Sequence, residues 1–230
     1  MRIKNKLNRI LIRIFDLTTS VVALLVILPV FAIIAAAIKL NDGGRVFFIQ
    51  DRVGRGGRVF RMFKFRSMVE GAHRTGIFIH GETDSRITAV GGLLRKTALD
   101  ELPQLINVLR GEMSIIGPRP ALPDHLKEYS EWQMRRLEVN PGITGWAQIN
   151  GRNSLSWPER IELDIWYIEN RTPALDLKII LLTIPFLLRN EGVYAGREKF
   201  SFDSGEAERQ PPPLETGQPS APVHRSVVNQ

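Results

Sequence analysis

The amino-acid sequence predicts an α+β chain, mostly helical, with a small β-hairpin, an N-terminal re-entrant membrane helix and interfacial amphipathic helices. Three observations carry this prediction. Residues 21–38 form an unbroken apolar run, VVALLVILPVFAIIAAAI. Two β-prone stretches flank the turn-forming Gly54-Arg55-Gly56-Gly57. Beyond residue 100, apolar side chains recur at helical spacing. The 230 residues suffice for one ordinary domain. They divide into a membrane helix-hairpin over 1–40, a main domain over 41–200 and a disordered tail over 201–230.

A straight helix over residues 21–38 reaches about 27 Å, against about 30 Å of hydrocarbon. Pro29, in its middle, lacks an N–H and pushes on the carbonyl of Leu25, so a kink is expected there. Arg2, Lys4, Lys6, Arg9 and Arg13 precede the run; Lys39, Arg45, Arg52, Arg55 and Arg58 follow it. Cationic flanks prefer the cytoplasmic side. A hairpin that enters and leaves by one face satisfies that rule better than a span, and a buried core helix ranks third. The run ends in Lys39-Leu40-Asn41-Asp42-Gly43-Gly44, a poor cleavage site, so a signal peptide does not fit.

Val46–Gln50 and Val59–Phe65 read as the two strands of a hairpin. Alternation puts Val59, Arg61, Phe63 and Phe65 on one face, and Phe60, Met62, Lys64 and Arg66 on the other. Residues 70–92 are polar and Gly-containing and read as a loop with room for one helical turn. Leu102, Leu105, Ile106 and Leu109 predict a helix from Asp100, as its N-cap, to Arg110, stopped by Gly111. Residues 122–139 predict another, ended by Pro141-Gly142. Ser156-Trp157-Pro158-Glu159 has capping-box spacing and opens a helix to about Asn170. Leu177–Leu188 is apolar but too short to span, and contains Pro185; an interfacial or core helix fits it. The tail from Ser201, rich in Pro, Ser, Gln and Glu, is expected to be disordered.

The chain contains no cysteine, which excludes disulfides, zinc–thiolate sites and thiol catalysis. The formal charge of +7 suits an anionic partner: nucleic acid, anionic lipid or a phosphorylated substrate. The cations interleave with other motifs and form no separate stripe, which argues against nucleic acid. Among possible chemical groups, Asp100-Glu101 is an adjacent carboxylate pair at a predicted helix start. In isolation such a pair reads as a cap and a first-turn acid. Here Arg95 and Lys96 precede it, Arg110 and Arg119 follow it, and Lys64 and Arg66 end the hairpin. Carboxylates among cations can hold a divalent metal, or attack a phosphorus whose charge the cations neutralise. Gly117-Pro118-Arg119-Pro120 presents one guanidinium suited to phosphate. Pro141–Trp146 and Asn150-Gly151-Arg152 form a Gly-containing stretch that fits either a ligand loop or a tight connection. His73, His80, His125 and His224 make no metal-ligand spacing.

Together these segments resemble the bacterial sugar transferases, the monotopic polyprenyl-phosphate phosphoglycosyl transferases, in their short form. The matching text is Lys64-Phe65-Arg66-Ser67-Met68, Asp100-Glu101-Leu102-Pro103-Gln104-Leu105-Ile106-Asn107-Val108-Leu109-Arg110-Gly111-Glu112-Met113-Ser114, Gly117-Pro118-Arg119-Pro120, Pro141-Gly142-Ile143-Thr144-Gly145-Trp146-Ala147-Gln148 and Asn150-Gly151-Arg152. The resemblance covers residues 10–195 and is specific in order and spacing.

It implies transfer of a sugar 1-phosphate from a UDP-sugar to a polyprenyl phosphate such as undecaprenyl phosphate. UMP is released, and the product opens glycoconjugate or polysaccharide biosynthesis. It implies Asp100 as nucleophile, through an aspartyl phosphosugar, and Glu101 as its partner in acid–base work. Both carboxylates are tied to Mg²⁺. Lys64, Arg66, Arg95, Arg119 and Arg152 match phosphate-binding positions. The implied setting is the bacterial inner membrane, with the lipid bilayer as partner and the catalytic domain on the cytoplasmic face. Family members often carry Ser-Pro at the helix break, where this chain has Leu28-Pro29. The alternative on the residues alone is a non-catalytic membrane-surface module that binds anionic lipid.

Overall fold

A single helix, α1, runs from Lys6 to Asp42 with Pro29 inside it. The structure, a computed structural model, describes residues 6–72, 84–151 and 155–188. Helix α1 continues through Pro29, the position of the expected kink: one lost N–H is bridged by the turns on either side, as in many proline-containing helices. Only 11% of its most apolar window is buried, which rules out a core helix. The two ends of α1 behave differently from its middle. Asp16 and Ser20 near the start, and Ile34 and Ile38 toward the end, are buried against the rest of the protein. Between them Val22, Leu25, Val26 and Leu28 stay more than 60% unburied or close to it, at 60%, 69%, 71% and 63%.

Strands β1 (Phe47–Val53) and β2 (Val59–Phe65) pair antiparallel, with Ile49 opposite Phe63 and Val53 opposite Val59. The expected hairpin is present, with its first strand continuing to Val53. Its turn is a short 3₁₀ segment over Arg55–Gly57, in which Gly56 and Gly57 take positive φ. The alternation holds: Phe60 and Met62 are buried beneath the hairpin with Val108 and Met113. Phe65 leaves by the other face and packs with Ile34, Ile38 and Leu94.

The segment read as a loop contains the start of α2 (Ala89–Lys96), capped by Thr88. The helix expected from Asp100 is also shorter. Ala98 turns the chain with φ 55°, a 3₁₀ turn covers Leu99–Glu101, and α3 spans Gln104–Arg110. Asp100 therefore caps nothing. Pro103, which has no N–H to bond back into a preceding turn, takes the N-cap position of α3, and Leu99–Glu101 form a separate turn before it. The helix expected over 122–139 is three short pieces: 3₁₀ turns at Pro123–Glu128 and Arg135–Glu138 around α4 (Glu131–Met134). Ser130 restarts the chain there with its own capping box to Gln133.

A second sheet was not foreseen. Strands β3 (Ser114–Ile116) and β4 (Gly142–Thr144) pair in parallel. They can approach because a Cβ on Gly142 would stand 2.0 Å from the Gly117 nitrogen. The Gly-containing stretch is thus a tight backbone crossing here. After α5 (Trp146–Ile149), α6 spans Trp157–Asn170 with the expected Ser156–Glu159 capping box. Last comes α7 (Pro173–Leu188). It buries Ile179 against Ile116, Val139, Tyr167 and Ile168. Its other side leaves Leu177, Leu181 and Ile184 exposed, as an interfacial helix requires. The fold is α+β. Arg152, His73, His80, His224 and the tail from Ser201 lie outside the described residues.

Candidate active site

Asp100 and Glu101 sit in the 3₁₀ turn between α2 and α3, and both are buried. Their environments differ. Glu101 Oε1 accepts from Lys64 Nζ at 2.8 Å and from Arg119 Nη2 at 2.9 Å. Burial opposes ionisation of Glu101, but Arg119 and Lys64 outweigh it and hold the carboxyl well below its usual range. Asp100 accepts no hydrogen bond among the described residues. Burial pushes its carboxyl up; Lys64 pulls it back, and ionised Glu101 adds to the upward push. One acid is thus locked as a carboxylate by two cations. Its neighbour is unengaged and electron-rich when ionised, which is the condition of a nucleophile.

Local structure explains this placement. Lys64 points inward by the alternation of β2, on the same side as Phe60 and Met62. Asn107, in the middle of α3 and wholly buried, holds that helix to the free edge of β2. Its side chain accepts from Phe63 N at 3.0 Å and donates to Arg61 O at 2.8 Å and to Glu112 Oε2 at 2.7 Å. It thereby does what a third strand would do, and sets the register that brings Lys64 to Glu101. Arg119 comes from the Gly117–Pro120 loop and keeps 34% of its side chain exposed while its guanidinium holds Glu101.

The chain matches the bacterial sugar transferase family over residues 7–190. It is 47% identical over 184 residues to an uncharacterized sugar transferase, EpsL, of Bacillus subtilis, covering 80% of this chain and 90% of that one. It is 40% identical over 197 residues to the exopolysaccharide production protein ExoY of Rhizobium meliloti, covering 79% and 87%. It is 44% identical over 185 residues to the UDP-glucose:undecaprenyl-phosphate glucose-1-phosphate transferase of Escherichia coli, covering 77% of this chain and 40% of that longer one. The chain belongs to the bacterial sugar transferase family. It is a transferase, and the alternative of a non-catalytic lipid-binding module falls.

Within this transferase the other expected cations are distributed unevenly. Arg95 acts on Asp100 through space, lowering its carboxyl. Arg66 is not brought to the acid pair. Its guanidinium lies against Gly44 and binds Asp42 at the end of α1. Arg152 lies outside the described residues. Among the described residues, Lys64 and Arg119 hydrogen-bond the pair, both at Glu101.

Sequence reasoning missed the support behind Arg119. Arg52 donates to Pro120 O at 3.1 Å and to Gln50 Oε1 at 2.7 Å. Burial, with Arg119 adding, pushes its pKa down to about 10, so it remains charged at neutral pH. Arg136 donates to Arg119 O at 3.0 Å and to Asp164 Oδ2 at 2.6 Å. Burial raises Asp164 to about 6, with Arg136 pulling against that rise. A readable signal existed for this pair: Arg160 and Asp164 interrupt the apolar stripe Trp157, Ile161, Ile165 and Ile168 on α6.

The pair also fits a magnesium ion. Among the described residues no three His, Asp or Glu side chains gather as a metal site. Mg²⁺ does not require that; it takes one or two carboxylates, waters and substrate phosphate oxygens. Asp100 and the second oxygen of Glu101, which accepts no hydrogen bond among the described residues, supply such a donor set.

Proposed function

We propose that this enzyme moves a sugar 1-phosphate from a UDP-sugar to a polyprenyl phosphate, undecaprenyl phosphate by analogy with the Escherichia coli relative's name. The observation that carries the reading is the contrast between Asp100, without a hydrogen-bond partner among the described residues, and Glu101, tied to Lys64 and Arg119. In the first step an Asp100 carboxylate oxygen attacks the β-phosphorus. A bond from that phosphorus to the bridging oxygen breaks, and UMP leaves with the bridging oxygen. In the second step a phosphate oxygen of the lipid attacks the same phosphorus and releases Asp100. Serving the two phosphates in turn spares the site from holding two bulky anions together. Lys64, Arg119 and Arg95 oppose the charge on the transferring group. Arg66 and Arg152 are further candidates for phosphate. Asp100 and Glu101 would hold Mg²⁺, which when bound neutralises phosphate charge.

The setting is a membrane surface, since one substrate is a lipid. Helix α1 is long and apolar enough to cross a bilayer, yet residues 13–16 and 31–42 both dock on the same body of the protein. A body on one side of the membrane cannot hold both ends of a helix that crosses about 30 Å of hydrocarbon. That supports entry and exit by the cytoplasmic face of the inner membrane. The name of the Rhizobium relative supports a place in exopolysaccharide synthesis.

The test is direct. With a panel of UDP-sugars and Mg²⁺, wild type should release about one equivalent of UMP per enzyme without acceptor, as a covalent intermediate demands. Asp100→Asn should abolish release and turnover while still sedimenting with membranes. Full activity in Asp100→Asn would sink the reading.

A further inference from the structure

In the sequence Arg13 is one cation among several before the apolar run. In the structure it reaches the body of the protein. Its Nη1 donates to the carbonyl of Val108 at 2.5 Å and its Nη2 to that of Leu109 at 2.7 Å. These are last-turn carbonyls of α3, where a helix lacks its own donors and carries partial negative charge. One helical turn further along α1, buried Asp16 uses Oδ1 to accept from Ser114 Oγ and Ile115 N, both at 2.9 Å. Spaced three residues apart, the two side chains share one face of α1. They grip opposite sides of the turn from α3 to β3, which Gly111 makes at φ +81°.

We propose that Arg13 and Asp16 are positioning residues that fix the acid pair through α3. Helix α3 is only seven residues long and begins three residues after Glu101. So short a rod, about 10 Å, transmits a shift of its C-terminal end to its N-terminal end. The other end of the same lever is also held by α1. Ile34 and Ile38 cluster with Phe65 and Leu94, and Leu99 and Leu102, on either side of the acid pair, pack against that cluster. The membrane helix is therefore part of the frame of the active site as well as its anchor. Neither Arg13 nor Asp16 contacts Asp100 or Glu101. They act by holding the far end of α3, whose near end follows the turn in which Lys64 and Arg119 meet Glu101.

The experiment uses the full chain in vesicles of phosphatidylethanolamine and phosphatidylglycerol. Rapid-quench UMP release is measured with a UDP-sugar that wild type turns over, alongside donor KM, folded fraction and sedimentation. Reading the burst rests on the covalent mechanism proposed above. Arg13→Gln should leave burst amplitude matched to folded fraction and donor KM within about twofold, while the rate constant falls about 10- to 100-fold. Arg13→Lys, which can serve one carbonyl, should fall between. Asp16→Asn, whose Oδ1 can still accept from Ile115 N, should lose less than Arg13→Gln. An unchanged rate constant, with amplitude falling in step with folded fraction, overturns the inference and leaves a purely structural contact. If Arg13→Gln does not fold, Arg13→Lys and Asp16→Asn carry the same comparison. If wild type turns over with acceptor but shows no burst, the covalent reading fails by itself. The variants are then compared by kcat and KM, where an unchanged kcat overturns the clamp.

Discussion

Asn107 offers the sharpest test of how the site is built, because one buried amide joins α3 to β2. Replacing it with alanine removes its bonds to Phe63 N, Arg61 O and Glu112 Oε2. Neutral hydrogen bonds contribute about 1 kcal/mol each, those to a charge about 1.5–3, and buried groups left unpaired add to the loss. With the side chain wholly buried, water cannot replace these partners, and a loss of about 3–5 kcal/mol is expected. For a chain of this size that lowers the melting temperature by about 8–15 °C. The assay is thermal unfolding in detergent by far-UV circular dichroism. Asn107→Asp is the informative partner variant. It keeps an acceptor for Phe63 N but turns a carboxylate toward the Arg61 carbonyl and Glu112, so it should be at least as unstable as alanine at neutral pH. It should also recover partly as pH falls and the new carboxylate protonates. Melting of Asn107→Ala within about 2 °C of wild type would refute the bridging role.

Glu101→Gln leaves Lys64 and Arg119 without their counter-charge; stability should fall by about 3–5 kcal/mol, read by denaturant unfolding, and turnover should fall with it. Asp164→Asn strands buried Arg136 behind the Arg119 loop and should lower stability by a similar amount, about 3–5 kcal/mol, with donor KM rising as Arg119 loses its support. The rate of UMP release should decline on acidification at higher pH than for an ordinary aspartate. In the proposed mechanism Asp100 must be ionised to attack, and burial places its carboxyl above its usual 3.8; a profile flat to below that value would contradict the assignment. Glu101 behaves oppositely. Its depressed folded pKa means that its stabilising contribution is complete above the ordinary 4.5 and is lost only as pH drops through that lower value. The chain has no native cysteine, so Lys4→Cys and Leu40→Cys should both react with an impermeant thiol reagent from the cytoplasmic side; labelling from opposite sides would establish a span.

Much of the protein is legible in order along the chain. The apolar run, the hairpin, the capping box at Ser156 and the acid pair are all local signals, set by period, turn chemistry or adjacency. Where sequence reading missed, tertiary contact overrode a local rule. Asp100 looks like an N-cap, but Pro103 starts α3 and the preceding residues turn separately. Arg66 reads as one more cation close to the acid pair, but in the fold it pairs with Asp42 at the end of α1. The parallel β3–β4 pair joins strands too short to carry a pattern, and depends on glycines that let two backbones touch.

The sequence by itself determined that an acid pair stands among cations in a chain that carries a long apolar segment. It could not tell the two carboxylates apart, since neighbours along the chain share their local chemistry. That distinction came from the tertiary structure. Lys64 and Arg119 arrive from a strand and a loop far away in sequence and both bind Glu101. A buried carboxylate is stabilised by whichever charges reach it through space, and that reach is a property of packing.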